Sequence, residues 1–175
     1  MRGLTPGLAT FAPLCSGGAC TAVACTVCAN GCEYATIQAA LDAAADGCLI
    51  LVAPGVYNEN PIVYKPVTVQ GSGMDNTILN AQPLSVDTLP AWHAKVVSIL
   101  GADPFAATVA PGFMVFGNAP GHLFSAGLSA HIDGFQVTGA ITGGGIAIDT
   151  LAHNTQISNM KIRGNQGMCA GGVSL

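Results

Sequence analysis

Two kinds of hydrophobic spacing divide the chain. Ile37, Ala40, Leu41 and Ala44 recur at i, i+3, i+4 and i+7, with Gln38 and Asp42 on the opposite side, which is the spacing of a short amphipathic helix. Thr36 can cap that helix, because its hydroxyl accepts a first-turn amide that has no partner within the helix, and Gly47 after Asp46 supplies a stop. The pattern predicts a helix over residues 36–46 and no second helix of comparable spacing. Downstream the period falls to two. Ile50 and Val52, Val67 and Val69, Phe135 and Val137, and Met160 and Ile162 alternate with polar or small residues, as strands do. Each run is bounded by turn residues, among them Pro54-Gly55, Gly71-Ser72-Gly73, Gly139 and Gly164-Asn165.

An internal repeat chooses between strand architectures. The segments 131–139 and 156–164 align at a separation of 25 residues, matching Ile132 with Ile157, Phe135 with Met160, Val137 with Ile162 and Gly139 with Gly164. The glycine-led strands at Gly145-Ile146-Ala147-Ile148 and Gly172-Val173-Ser174-Leu175 repeat at 27. A β-rich repeat of this length predicts a parallel β-helix, with one turn per repeat. Inward Val, Ile and Phe would form ladders about 4.8 Å apart, while Gly, Asn and Ser turn the corners. Such a coil needs its open ends protected, and the helix over 36–46 is placed to cover the first turn. The C-terminal residues 172–175 read as the opening of a further strand. The expectation is therefore an irregular lead-in over 1–24, followed over 25–175 by the N-terminal part of a β-helix domain that is truncated at its C-terminal end.

Composition narrows the function classes. Of 175 residues, 9 are acidic and 5 basic, a charged fraction of 8% where about a quarter is usual. That excludes a basic nucleic-acid binder, a charge-driven disordered tail and a coiled coil. Half the residues are apolar, yet the apolar run from Cys48 to Ala53 stops at Pro54, far short of the roughly 20 residues of a membrane span. With 23 Gly and 10 Pro, many short strands and turns are expected.

Six of the seven cysteines, Cys15, Cys20, Cys25, Cys28, Cys32 and Cys48, crowd near the N-terminal end, and Cys169 stands apart. Disulfides among the six would place the protein outside the cell or on its surface. The C-x2-C-x3-C run of Cys25, Cys28 and Cys32 admits a thiolate zinc site, but the second knuckle such sites need is missing. Free thiols are the third reading. Met1-Arg2 gives a weak basic start, but Pro6, Gly7 and Pro13 interrupt the apolar stretch after it, so no signal peptide is evident.

The run Tyr34 to Gly47, then Ile50-Leu-Val-Ala-Pro-Gly-Val-Tyr57-Asn-Glu-Asn60, Lys65-Pro-Val-Thr-Val-Gln-Gly71 and Asn76-Thr-Ile-Leu-Asn80 resembles the N-terminal cap and first turns of the pectin lyase-like superfamily of right-handed parallel β-helices. The likeness is close over 32–80, generic over 130–175 and loose over 81–129, where 84–90 and 105–120 read as longer loops. The resemblance implies an all-β, right-handed, single-stranded solenoid. The opening is similar to that of pectinesterases, whose catalytic part has a Gln, two Asp and an Arg in surroundings that this chain lacks. Pectate lyases need a calcium-binding acidic cluster and a basic residue, whereas the acids here are scattered. No cofactor is implied, and calcium only if the full-length protein is a lyase.

Lys161 and Arg163 stand two apart on one strand and share an outward face, with Gln136 and Thr138 one turn above. That strip suits an acidic polysaccharide, since Lys and Arg pair with carboxylates; equally, any outward face must be polar. Trp92 with His93 reads as a sugar-stacking platform or as a packing anchor. Asp133 and Asp149 offer a calcium or acid-base pair, although Asp133-Gly134 is also ordinary turn chemistry. Glu59, in Tyr57-x-Glu, reads as a structural residue. The four histidines, 93, 122, 131 and 153, show no metal-ligand spacing. The glycines 143–145 lack the Lys-Ser/Thr of a phosphate loop and read as a corner.

The resulting expectation is an extracellular β-helix module that contacts polysaccharide or a cell-surface glycan without catalytic residues in this segment. Its partners would be glycan and the remaining turns of a longer chain, with no nucleic acid and no membrane span. The alternative is the start of a polysaccharide lyase or esterase whose active site lies beyond Leu175.

Overall fold

The computed structural model describes residues 25–81, 89–103, 109–149, 151–167 and 170–175. The lead-in 1–24, and with it Cys15 and Cys20, lies outside the described residues, as does Cys169. The chain enters as β1 (Cys25–Val27), passes through a Cys28–Cys32 disulfide and forms α1 (Ile37–Ala43). Strands then follow in groups of three. The first group is β2 (Leu49–Val52), β3 (Gly55–Tyr57) and β4 (Ile62–Val63). The second is β5 (Thr68–Gly71), β6 (Thr77–Asn80) and, after α2 (Leu89–Leu100), β7 (Phe113–Phe116). Next come β8 (His131–Asp133), β9 (Gln136–Thr138) and β10 (Ile146–Asp149), then β11 (Gln156–Ser158), β12 (Lys161–Ile162) and β13 (Val173–Ser174).

The members of each group enter three different sheets. The first sheet runs β1-β2-β5-β8-β11, the second β3-β6-β9-β12 and the third β4-β7-β10-β13. The paired strands run parallel, with Ile132 beside Ile157 and Val137 beside Ile162, the 25-residue register of the repeat. The protein is thus mostly strands in parallel sheets with few helices. One face of every sheet turns inward. Ile50, Val69, Ile132 and Ile157 form a ladder across the first sheet, Leu79, Val137 and Ile162 across the second, and Val63, Val115 and Ile148 across the third; all pack into one cluster. Full burial of one such side chain contributes about 1.5–3 kcal/mol, while Ile148, Ile157 and Ile162 are only partly buried.

Helix α1 is shorter than the sequence pattern predicts, ending at Ala43 with Ala44 already extended. Thr36 caps it as expected, its hydroxyl accepting from the Ala39 amide at 3.1 Å. Ile37, Ala40 and Leu41 are fully buried, facing the core beside β1, β2 and β4.

The second helix overturns the expectation of a single one. Helix α2 buries Trp92, His93 and Val96, with Pro90 in its first turn, where a missing N–H is harmless. Gly101 ends it at φ +78°, donating to the Val97 carbonyl at 2.8 Å. The helix covers the outward row Ile62, Met114 and Phe116 of the third sheet. With core on one side and α2 on the other, β7 is buried at all four positions, which is why Phe113-Met114-Val115-Phe116 does not alternate.

The cysteine expectation needs a correction. Cys28 and Cys32 are bridged, with Cα atoms 5.4 Å apart, but Cys25 and Cys48 remain thiols. Cys25 pairs with Ile50, so Cys48 lies two residues off its level. A strand spacing of about 4.8 Å combined with that offset exceeds the roughly 7 Å reach of a disulfide.

Candidate functional site

Strand alternation turns two rows of the first sheet outward. One holds Leu49, Thr68, His131 and Gln156; the other holds Thr26, Leu51, Gln70, Asp133 and Ser158. None of these side chains is buried, whereas the outward row of the third sheet is sealed by α2.

Four residues of this face are bonded together. The Ser158 hydroxyl donates to Asp133 Oδ1 at 2.5 Å, and His131 Nε2 lies 2.7 Å from the same hydroxyl oxygen. The Asn159 amide also donates to Asp133 Oδ1, at 2.6 Å. The corner after each strand creates this arrangement. Gly134 and Asn159 occupy equivalent positions in the repeat and both adopt left-handed backbone, φ +74° and +50°. Asn tolerates that conformation better than most residues, and its side chain reaches back to the strand above.

This cluster is not a nucleophilic triad. A triad places histidine between the serine and the carboxylate so that the ring takes the hydroxyl proton. Here serine sits in the middle and has already given its proton to Asp133, so His131 must donate to it. The arrangement orients polar atoms without activating a nucleophile.

Elsewhere Glu59, Tyr57 and His93 are engaged in structural contacts. A cavity of about 160 Å³ is lined by Thr36, Gly55, Tyr57 and Glu59 among others. Both Glu59 oxygens accept α1 amides, from Ile37 at 2.8 Å and Gln38 at 3.0 Å. Burial pushes its carboxyl up and the two amides pull it down. The Tyr57 hydroxyl is 2.9 Å from the Ala53 carbonyl, to which it donates. The Thr36 hydroxyl, the Tyr57 hydroxyl and the Glu59 carboxylate on this cavity's wall are thus each bonded to backbone of the cap and first strands. His93 pairs with Asp103, and its Nε2 is buried without a hydrogen-bond partner among the described residues.

The strip expected to meet acidic polysaccharide lies on the second sheet. Gln136 and Lys161 are paired neighbours there. Gln136 is buried, Thr138 half-buried and Arg163 exposed. Lys161 is engaged with Asp75 at 2.5 Å, and that contact, aided by Arg163, holds the Asp75 carboxyl below its ordinary value. Trp92 requires a correction: it is 8% exposed, and its indole donates to the Asn60 carbonyl at 2.9 Å. Its ring is part of the packing under α2 and presents no stacking face. Asp133 and Asp149 stand in different sheets.

Sequence reasoning singled out Asp133 but missed His131, Ser158 and Asn159. The signal was present: the 25-residue repeat sets Ser158 beside Asp133, and alternation puts His131 on the same face. Among the described residues no group of three His, Cys, Asp or Glu side chains could hold a metal ion. No helix among them is long and apolar enough to cross a membrane. Compared with known proteins, the chain matches no family model and no curated sequence.

Proposed function

We propose that the chain is a right-handed parallel β-helix module of the pectin lyase-like kind, working outside the cell, that contacts polysaccharide through the outward face of its first sheet and performs no chemistry there. One observation carries this reading. Two rows of polar side chains, Thr68, His131 and Gln156 beside Gln70, Asp133 and Ser158, cross parallel strands on a face where none of them is buried by the described residues. Neighbouring strands lie about 4.8 Å apart, close to the length of one pyranose, so an extended glycan lying across the strands meets the same kind of polar side chain at each sugar. Leu49 and Leu51, on the neighbouring strand of the same face, add apolar surface for the C–H faces of a sugar.

The inverted polarity of the His131, Ser158 and Asp133 chain favours binding over hydrolysis. The Cys28–Cys32 disulfide fits an oxidising compartment. Affinity electrophoresis through gels containing soluble polysaccharides tests the reading. Retardation by at least one polysaccharide is expected, and it should be lost in a Gln70→Ala, Gln156→Ala double variant. Unretarded migration in every gel would overturn it.

A further inference from the structure

The hydrogen-bond polarity on the first sheet deepens that reading, on which it rests, by assigning the class of glycan. Ser158 has one proton, and it goes to Asp133 Oδ1. The hydroxyl oxygen can then only accept from His131, so the contact at 2.7 Å requires the proton on Nε2. An uncharged imidazole carries a single N–H, which leaves Nδ1 as a bare acceptor. Asp133 is used at Oδ1 by both Ser158 and Asn159, and Oδ2 has no hydrogen-bond partner among the described residues. Neither atom is among the buried polar atoms that lack a partner. Among the described residues two acceptors without a partner therefore flank a hydroxyl with no proton left to give, and all three are held by bonds already made.

We propose that His131 Nδ1 and Asp133 Oδ2 form a preorganised acceptor pair that takes adjacent hydroxyls of a neutral polysaccharide and rejects uronates. Two sugar hydroxyls supply the two donors the site needs. A uronate offers ring hydroxyls as well, but its carboxylate brings a negative charge beside Asp133, a repulsion that a partly dried face strengthens, and this is what turns it away. This preference is opposite to the one that Lys161 and Arg163 suggest from sequence, and it lies on a different sheet.

The test is isothermal titration calorimetry at pH 8 with soluble fragments of neutral polysaccharides, namely a glucan, a mannan, a galactan and a xylan, and with polygalacturonate of similar length. At least one neutral fragment is expected to bind, and polygalacturonate is not. Asp133→Asn replaces one acceptor oxygen with a donor nitrogen and should weaken neutral binding about tenfold, the effect of an unmatched polar group. His131→Ala should weaken it similarly, which covers the case in which one variant does not fold; circular dichroism reports folding of each. Binding of polygalacturonate in preference to the neutral fragments would overturn the acceptor pair and leave the glycan reading standing. So would neutral binding that neither folded variant weakens. Binding of none of the five would overturn both.

Discussion

Glu59 and Lys65, six residues apart in sequence, hold opposite ends of the same helix. The two oxygens of Glu59 take the first-turn amides of Ile37 and Gln38, while the Lys65 ammonium donates to the carbonyls of Asp42 at 2.6 Å and Ala44 at 2.8 Å. Each charge sits at the end of α1 whose dipole it complements, and each satisfies backbone groups that have no partner inside the helix. The cap is thus clipped to the strands below by two residues that bracket β4.

Removing either clip exposes the same weakness. Glu59→Ala and Lys65→Ala are each expected to lower unfolding free energy by about 1–3 kcal/mol, because each leaves two backbone groups without partners. Both losses act through one helix, so the double variant should cost less than their sum. Urea titrations of the four proteins check this, and strict additivity would mean that the two ends of α1 are held independently.

Glu59 also fixes the sign of a pH effect. Its carboxyl is pushed up from an ordinary value of 4.5 by burial, against the two amides. A group that holds its proton more tightly when folded adds stability that is full below the unfolded pKa and is lost as pH rises through the folded one. The difference in stability between the wild type and Glu59→Gln should therefore shift against the wild type as pH rises above that value. A difference that does not change with pH would contradict the assigned burial.

All three tyrosines should titrate late. Tyr34 and Tyr57 are raised above the ordinary value, and Tyr64 is pushed up to about 12, by burial first and then by Asp42, whose carboxylate accepts its hydroxyl at 3.1 Å. Tyrosinate absorbance should lag behind that of the urea-unfolded chain, which ionises near pH 10. For Tyr64 the linked stability is complete below that pH and disappears as pH rises through about 12. Coincident folded and unfolded curves would refute the packing around these rings.

The single tryptophan reports on α2. With Trp92 packed against Ile62, Met114 and Phe116, its emission should be blue-shifted, weakly quenched by iodide and unchanged by any polysaccharide. Trp92→Ala should cost about 3–5 kcal/mol, as for other large aromatic side chains removed from a core. Quenching as strong as in the unfolded chain would put the ring back on the surface.

Sequence alone sufficed wherever the signal was local or periodic. The period-two runs located β2, β5, β9 and β12, and the repeats at 25 and 27 residues set the register of β8 with β11, β9 with β12 and β10 with β13, because inward positions must be apolar wherever one face is buried. Strand β7 lies within the stretch 105–120 that reads as a loop. The Thr36 cap was legible for a similar local reason. Helix α2 was missed although Leu89, Trp92, Val96, Ile99 and Leu100 carry helical spacing; Pro90 read as a loop residue there, yet a proline is well placed in a first turn. The unbroken run 113–116 was the companion signal, since a strand covered on both faces has no polar side to show. The roles of Glu59 and Lys65, and the proton order on His131, Ser158 and Asp133, depend on three-dimensional partners far away in sequence. Neither composition nor spacing supplies those.

Glycan contact through the first sheet is tested most directly by a map of amide shifts in the 15N-labelled protein as a neutral polysaccharide fragment is added. The perturbed residues should gather on that sheet, around 68–70, 131–133 and 156–159, with Asn159 and Asp133 among them. Perturbations centred instead on 136–138 and 161–163 of the second sheet, or none at saturating fragment, would contradict the proposed binding face.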